Sequence, residues 1–257
     1  ILTFLISLPF YIFAYLVPPE MALLAGLTLT LAPVSAALIL VFRQNRSSGI
    51  KRLLKRAFDY KRTPKARWYI PILLLWPIIF SLAFLVLKSI GEPIPDTAFP
   101  IVVAPVALLV FFLLALFEEV GWMGYAFDPL EQRWNALTGS LVLGLIWSEW
   151  HLPIFIATPE STIWVVGQLV NLILTRILIV WIFNNSGKSV FAAILFHAVY
   201  NVCTMVFPVY GSPLGPGLSA VIVLITTIII VLLWGANTLA RFRFSSLSKE
   251  SEQTHAG

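Results

Sequence analysis

Long apolar blocks separated by short polar connectors run along most of the chain. An apolar stretch at Ile1–Val17 comes first, and seven further blocks follow at about residues 20–42, 68–90, 101–126, 137–157, 164–184, 189–207 and 217–240. As a helix rising about 1.5 Å per residue, each of these seven can cross a hydrocarbon core about 30 Å thick, the block at 189–207 only just. The pattern predicts an all-α, polytopic membrane helix bundle with about eight transmembrane helices.

Breaker residues mark the connectors, among them Pro18-Pro19, Gly91 and Asn184–Gly187. A membrane demands that every backbone polar group be satisfied within its own segment, which favours helices throughout. We therefore expect one integral membrane domain over residues 1–257. Ile1–Val17 lacks a charged leader and a small-residue cleavage site, so we expect a shortened first span rather than a signal peptide.

Composition supports a membrane protein, since 59% of the residues are apolar and only 11% are charged. A soluble domain has about 45–50% and about 25%, so a soluble globular fold and a disordered chain are both excluded. The single cysteine, Cys203, excludes an intrachain disulfide and a thiolate zinc cluster. The net charge of +5 has a topological explanation, and we expect no nucleic-acid partner.

The connector at residues 43–67 has ten Lys and Arg residues and one acid, Asp59. Such a basic connector stays in the cytoplasm. With eight spans, both termini and the polar tail at 241–257 are then cytoplasmic, and fifteen of the seventeen basic residues lie inside. We predict a multi-pass protein of the cell membrane. The connector could also lie along anionic headgroups, but a topology signal with a short surface helix is the simpler interpretation.

Polar residues within the spans are few, and each is a candidate for function because burying it in lipid is costly. They are Glu118, Glu119, Glu149, His151, Arg176, His197 and Asn201. Neighbouring residues on a helix point about 100° apart, so the two adjacent glutamates cannot share one role. The pair His197 and Asn201 shares one helix face. Carboxylate, imidazole and carboxamide groups together can activate water and hold an oxyanion, although hydrogen bonding between helices would also explain them.

Three motifs in this region resemble those of the CAAX-protease and bacteriocin-processing (CPBP, or ABI) intramembrane proteases. The first is Glu118-Glu119-Val120-Gly121-Trp122-Met123-Gly124-Tyr125, the second runs from Trp147 to His151, and the third runs from Trp181 through Gly187 to Asn201. The resemblance covers residues 118–201 in the expected order, within a motif-bearing core at 101–207.

The resemblance implies an eight-helix intramembrane endopeptidase. By that resemblance, the catalytic residues are Glu118, His151, His197 and Asn201, with Glu119 as a supporting carboxylate. In this mechanism Glu118 is the general base to a water held with His151, while His197 and Asn201 stabilise the oxyanion. The expected substrate is a membrane-associated peptide or protein within the bilayer, prenylated or transmembrane.

Two departures from the family pattern stand out. Met123 occupies the position of the arginine that follows the glutamate pair, and restoring arginine there is expected to raise activity if Glu119 is available as its partner. Glu149 lies where the family usually has an apolar or small residue, and we expect it to pair with Arg176 on the adjacent span.

Other functions remain open at this point. Zinc hydrolysis would use Glu118, His151 and His197 as ligands, although the HExxH spacing is absent and the preferred mechanism requires no cofactor. A non-catalytic immunity or scaffold protein could keep the same fold. A proton-coupled transporter is less favoured because no inverted repeat is visible.

Overall fold

Every regular element in the described part of the computed structural model, residues 1–16, 27–63, 65–96, 99–157 and 160–240, is helical. Nine α-helices follow one another in this part of the chain. They are α1 (Leu2–Leu16), α2 (Leu31–Arg56), α3 (Tyr69–Ser89), α4 (Ala104–Gly121), α5 (Phe127–Arg133), α6 (Ala136–Ala157), α7 (Thr162–Asn185), α8 (Val190–Val206) and α9 (Gly215–Trp234). The predicted all-α class is confirmed.

Six helical segments are long and apolar enough to cross a membrane. They are Leu27–Arg56, Ala66–Ser89, Ile101–Arg133, Ala136–Ala157, Thr162–Asn185 and Gly215–Trp234. Helices α1 and α8 are shorter and also apolar. A multi-pass membrane protein is therefore confirmed, with these eight apolar segments in the predicted order. Residues 20–26, Pro18-Pro19 and the tail at 241–257 lie outside the described residues.

Three predicted blocks have different ends in the structure, and one of them, the block at 20–42, continues as helix to Arg56. The block at 101–126 continues as helix to Arg133, and the block at 217–240 ends as helix at Trp234. Gly235 follows with a φ of 76°, a left-handed conformation that glycine adopts without strain, and this ends the last helix.

Helix α7 lies at the centre of the bundle, between α6, α8 and α9. Most of its side chains from Leu172 to Phe183 are buried. Small residues bring its neighbours close: a Cβ on Gly144 of α6 would lie 2.8 Å from the carbonyl oxygen of Ile173. Close backbone approach at small residues is typical of membrane helix pairs. Polar groups on α7 can therefore reach across to α6 and α4.

A single π-helical turn, Trp122–Ala126, joins α4 to α5. Just before it, Gly121 packs so tightly on α2 that an added Cβ would lie 2.6 Å from the backbone of Pro33. This contact fixes the last turn of α4, which contains the two glutamates, against α2.

The basic connector is largely helical, because α2 continues through it to Arg56 after a kink at Arg46. Beyond the helix, the Asp59 carboxylate accepts hydrogen bonds from Ser189 Oγ (2.7 Å) and from the backbone nitrogen of Phe191 (3.1 Å). Asp59 thereby satisfies free backbone donors at the start of α8.

Lys188, just before α8, contacts Asp128 (3.0 Å) and Glu131 (2.6 Å) of α5. Partial burial lowers the pKa of Lys188, but its hydrogen bonds to Glu131 and Asp128 outweigh that effect and raise the pKa above its usual value. The ammonium group thus stays charged and ties α5 to the start of α8.

Candidate active site

The two adjacent glutamates of α4 point to different surroundings. Glu118 Oε2 accepts a hydrogen bond from Trp147 Nε1 over 2.9 Å. Glu119 is fully buried and accepts hydrogen bonds from Arg176 Nη1 (2.7 Å) and from His197 Nδ1 (2.8 Å). One carboxylate therefore borders the cavity described below, and the other lies behind it in an ion-paired network.

Trp147 of α6 contacts four of the polar residues around it. Besides the bond to Glu118, its backbone carbonyl accepts a hydrogen bond from His151 Nδ1 over 2.8 Å. The guanidinium carbon of Arg176 lies 4.1 Å from the centroid of the indole ring, within cation–π distance. The rings of His151 and His197 both meet the indole edge-to-face, with centroids 5.1 and 5.3 Å away.

These contacts indicate which ring nitrogen carries a proton in each of the two histidines. A carbonyl oxygen only accepts, so Nδ1 of His151 carries a proton and donates it to Trp147. In the neutral ring the lone pair is then on Nε2. Nδ1 of His197 likewise faces a carboxylate, that of Glu119, and donates to it. In both rings, Nε2 is left for other partners.

A cavity of about 250 Å³ lies among α4, α6, α7 and α8. Four of the predicted site residues line it: Glu118, His151, His197 and Asn201. The fifth, Glu119, is outside the lining and contacts the cavity only through His197. The Asn201 carboxamide borders the cavity without a hydrogen-bond partner among the described residues. Carboxylate, imidazole and carboxamide groups therefore share one small, partly polar space.

Part of the cavity wall was not anticipated from the sequence. Tyr200 and Tyr210 line the cavity, and their hydroxyls lie 3.2 Å apart. Asn171 Nδ2 donates to both, at 3.1 Å to Tyr200 and 2.7 Å to Tyr210. The only sequence signal was the position of Tyr200, three residues after His197 and hence on the same helix face.

The expected pair between Glu149 and Arg176 is wrong. Glu149 is exposed on the bundle surface, whereas Arg176 is fully buried against Glu119. Glu149 is two residues from Trp147, about 200° around α6, so it points away from the helix that carries Arg176. The charge of Arg176 is balanced instead by Glu119 of α4.

Arg176 supplies the cation that Met123 cannot offer to Glu119. Met123 is fully buried and, being apolar, offers no charge to Glu119. The guanidinium that pairs with Glu119 comes from α7 rather than from the next turn of the same helix. The expectation that arginine at position 123 would restore a missing partner therefore loses its basis, because the partner is present.

The alternative to glutamate chemistry is a zinc ion held by Glu118, His151 and His197. Among the residues that the structure describes, no three His, Cys, Asp or Glu side chains form a group that could hold a metal ion. A catalytic zinc usually has three protein ligands, each about 2.0–2.2 Å from the metal for nitrogen and oxygen ligands.

Part of the chain is similar to a known protein family. Residues 99–203 match the family model of the Rce1-like type II CAAX prenyl endopeptidases. This segment contains all five predicted site residues. Over these residues the chain is similar to the CAAX prenyl endopeptidases.

A curated relative points to the same class. The chain is 29% identical over 187 residues to CAAX prenyl protease 2 of Methanococcus maripaludis, covering 67% of this chain and 68% of the relative. Both findings support the CAAX protease family for this chain and confirm the resemblance carried by the three motifs.

Proposed function

We propose that this protein is an intramembrane endopeptidase of the CAAX type that uses a glutamate-activated water. The observation that carries the proposal is the shared cavity of Glu118, His151, His197 and Asn201. Membrane helices keep such groups only at a cost, and here the groups line one cavity instead of being scattered over several helix contacts.

The first step is attack by water. Glu118 Oε2 accepts a hydrogen bond from Trp147 Nε1, which leaves Oε1 for a water molecule in the cavity. The unprotonated Nε2 of His151 accepts a hydrogen bond from the second O–H group of that water. Glu118 then removes a proton as the oxygen bonds to the scissile carbonyl carbon, which gives a tetrahedral oxyanion.

The second step is collapse of the oxyanion. The Asn201 amide donates to the oxyanion, and His197 donates from Nε2 as an imidazolium whose Nδ1 rests on Glu119. Glu119, Arg176 and His197 then carry one net positive charge, opposite to the charge that develops. The carbon–nitrogen bond breaks, and the proton held by Glu118 passes to the leaving amine.

The substrate class follows from the cavity and from the relatives. Apolar side chains, among them Phe111, Leu114 and Phe155, line the cavity beside the polar groups. The matching family model and the relative are named for CAAX prenyl substrates. A CAAX sequence is a C-terminal motif whose cysteine carries a prenyl chain. We therefore propose a prenylated C-terminal peptide as substrate.

The test is cleavage of a farnesylated CAAX peptide by the purified protein, with the released peptide measured by mass spectrometry. Glu118→Gln keeps the shape of the side chain but removes the base, and activity should fall at least about 100-fold. The matched control is Glu149→Gln, the same change on an exposed glutamate. It should keep activity within about twofold.

Loss of activity in both variants, or in neither, would contradict the assigned role of Glu118. If the folded wild-type protein cleaves neither prenylated nor transmembrane peptides, the binding-only alternative, an immunity or scaffold protein, becomes the better proposal.

A further inference from the structure

A second, more basic pocket lies beside the kink of α2 and outside the cavity described above. Its volume is about 270 Å³, and its lining shares no residue with that cavity. The polar side chains that line it are those of Gln44, Asn45, Arg52, Arg56 and Tyr125. Two guanidiniums, two carboxamides and a phenol, with no carboxylate, are donors suited to a phosphate.

The charge around this basic pocket is strongly positive. Residues 43–58 contain six Lys and Arg residues and no acid. Arg56 pairs with Asp128 at 3.1 Å, but Arg52 makes no ion pair with any described residue. Surplus positive charge in a concave site attracts anions.

The level of the pocket along α2 indicates what kind of anion reaches it. The helix is apolar up to Phe42 and turns basic at Arg43, so the pocket lies where the apolar span meets the headgroup region. Past the kink, Leu54 and Phe58 are 41% and 63% exposed. Apolar side chains among lysines and arginines are typical of a helix that rests on a membrane surface.

The pocket depends on local strain in the backbone. Arg46 has φ 53° and ψ −152°, a conformation normally restricted to glycine. Three residues later, Gly49 lies so close to the preceding turn that an added Cβ would be 2.5 Å from Asn45 Cβ and 2.8 Å from Val41 Cγ1. The kink and the glycine lie beside the pocket, whose lining includes Asn45, Gly49 and Arg52.

We propose that this pocket binds the phosphate of an anionic phospholipid headgroup, such as that of phosphatidylglycerol. Arg52 and Arg56 contact the phosphate, and Gln44 and Asn45 complete the donor set. The acyl chains lie along the apolar part of α2, which a soluble phosphate cannot use.

The bound lipid also reaches the segment that follows the glutamate pair. Arg56 Nη1 donates to the carbonyl oxygen of Gly124 over 2.7 Å, and Gln44 Nε2 donates to Tyr125 Oη over 3.2 Å. Both acceptors belong to the π-helical turn one turn after Glu119. A headgroup in the pocket thus holds α2 against this turn and should stabilise the fold.

The test uses the full chain in neutral detergent micelles, with lipid binding counted by native mass spectrometry and stability followed by thermal unfolding. Phosphatidylglycerol should bind and raise the unfolding temperature, and phosphatidylcholine should do neither. Arg52→Gln should weaken phosphatidylglycerol binding about fivefold, the effect of one basic residue at a membrane surface. Lys51→Gln removes an equal charge one residue away, outside the lining, and should change binding less than twofold.

A second pair of variants adds charge without removing an arginine. Asn45→Asp places a carboxylate in the pocket and should weaken binding, whereas Ser47→Asp places one on the exposed surface nearby and should not. Equal effects within either pair would overturn the site and leave only general attraction to the basic helix. Stabilisation by inorganic phosphate equal to that by phosphatidylglycerol would overturn the lipid as the source of the phosphate.

Discussion

Trp147 and Glu118 are joined by a hydrogen bond of 2.9 Å from the indole Nε1 to the carboxylate Oε2. The indole holds one oxygen of the proposed base, and Glu118 lines the cavity. The same ring packs on the guanidinium of Arg176, the partner of Glu119, so it contacts both the proposed base and the neighbouring ion pair. The orientation of Glu118 therefore depends on α6, not only on its own helix.

Trp147→Phe tests this dependence. Phenylalanine keeps an aromatic face for Arg176 but loses the donor to Glu118. A hydrogen bond to a charged group contributes about 1.5–3 kcal/mol, so kcat should fall about 10- to 100-fold. The farnesylated-peptide assay measures the change, and Trp134→Phe, on the surface, is the control. Unchanged kcat in Trp147→Phe would show that the bond does not position the base.

Arg176→Met should destabilise the fold by about 3 kcal/mol, because it leaves a buried carboxylate with His197 as its remaining partner. Adding Glu119→Gln should recover at least about half of that loss, since the unpaired charge is then gone. Unfolding in detergent micelles gives both values, with exposed Arg133→Met as the control. Activity should stay low in the double variant, because His197 has lost its carboxylate; full recovery of activity would argue against a role for Glu119.

Met123→Arg should reduce stability rather than raise activity, because Glu119 already pairs with Arg176 and is not available to a second arginine. The side chain is fully buried, and two guanidiniums would then face one carboxylate. A loss of about 3 kcal/mol or more is expected. Combining it with Arg176→Met should restore much of the lost stability, because one cation again meets Glu119. Met123→Leu, which keeps volume and polarity, should cost less than about 1.5 kcal/mol.

Topology can be tested with single cysteines at Ser47 and Asp96 in a Cys203→Ala background. Both positions are exposed and one span, α3, separates them. The basic connector predicts that Ser47→Cys faces the cytoplasm and that Asp96→Cys faces outward. A membrane-impermeant thiol reagent added to intact cells should label only Asp96→Cys. Labelling of Ser47→Cys from outside would reverse the orientation.

Whether the peptidase activity requires zinc can be measured directly. Glutamate chemistry predicts that the active protein contains zinc well below one atom per chain and keeps its activity after treatment with a chelator. Elemental analysis of the purified protein and the peptide assay give the two results. Activity that disappears with the chelator and returns with Zn²⁺, together with zinc loss in Glu118→Gln, would establish the zinc mechanism instead.

The spans were predictable because a bilayer requires about 20 apolar residues for each crossing helix, and this requirement is visible in any sequence. Candidate polar residues were predictable for a related reason: His197 and Asn201 stand out only because their surroundings are apolar. The partners of these residues were not predictable. Whether Arg176 meets Glu119 or Glu149 depends on the rotation of α7 against two other helices, and no local pattern encodes that rotation.

Two backbone features were also hidden. The kink at Arg46 has no glycine or proline at the kinked residue, and the only mark in the sequence is the run Ser47-Ser48-Gly49 that follows it. The π-helical turn after Glu119 lies in a segment with ordinary helical composition, Trp122–Ala126. Both features arise where α2 and α4 pack together, and packing between distant segments cannot be derived from either segment alone.

The pairing of Glu119 with a cation from another helix changes what a search for related proteins should require. A sequence pattern that requires arginine four residues after the second glutamate does not match this chain, although Glu119 has an arginine partner in Arg176. The requirement is a cation within reach of one carboxylate oxygen, and the helix that supplies it can change during evolution. Positions 123 and 176 should then vary together among homologues, with arginine at one or the other, because both together or neither would leave a buried charge unbalanced.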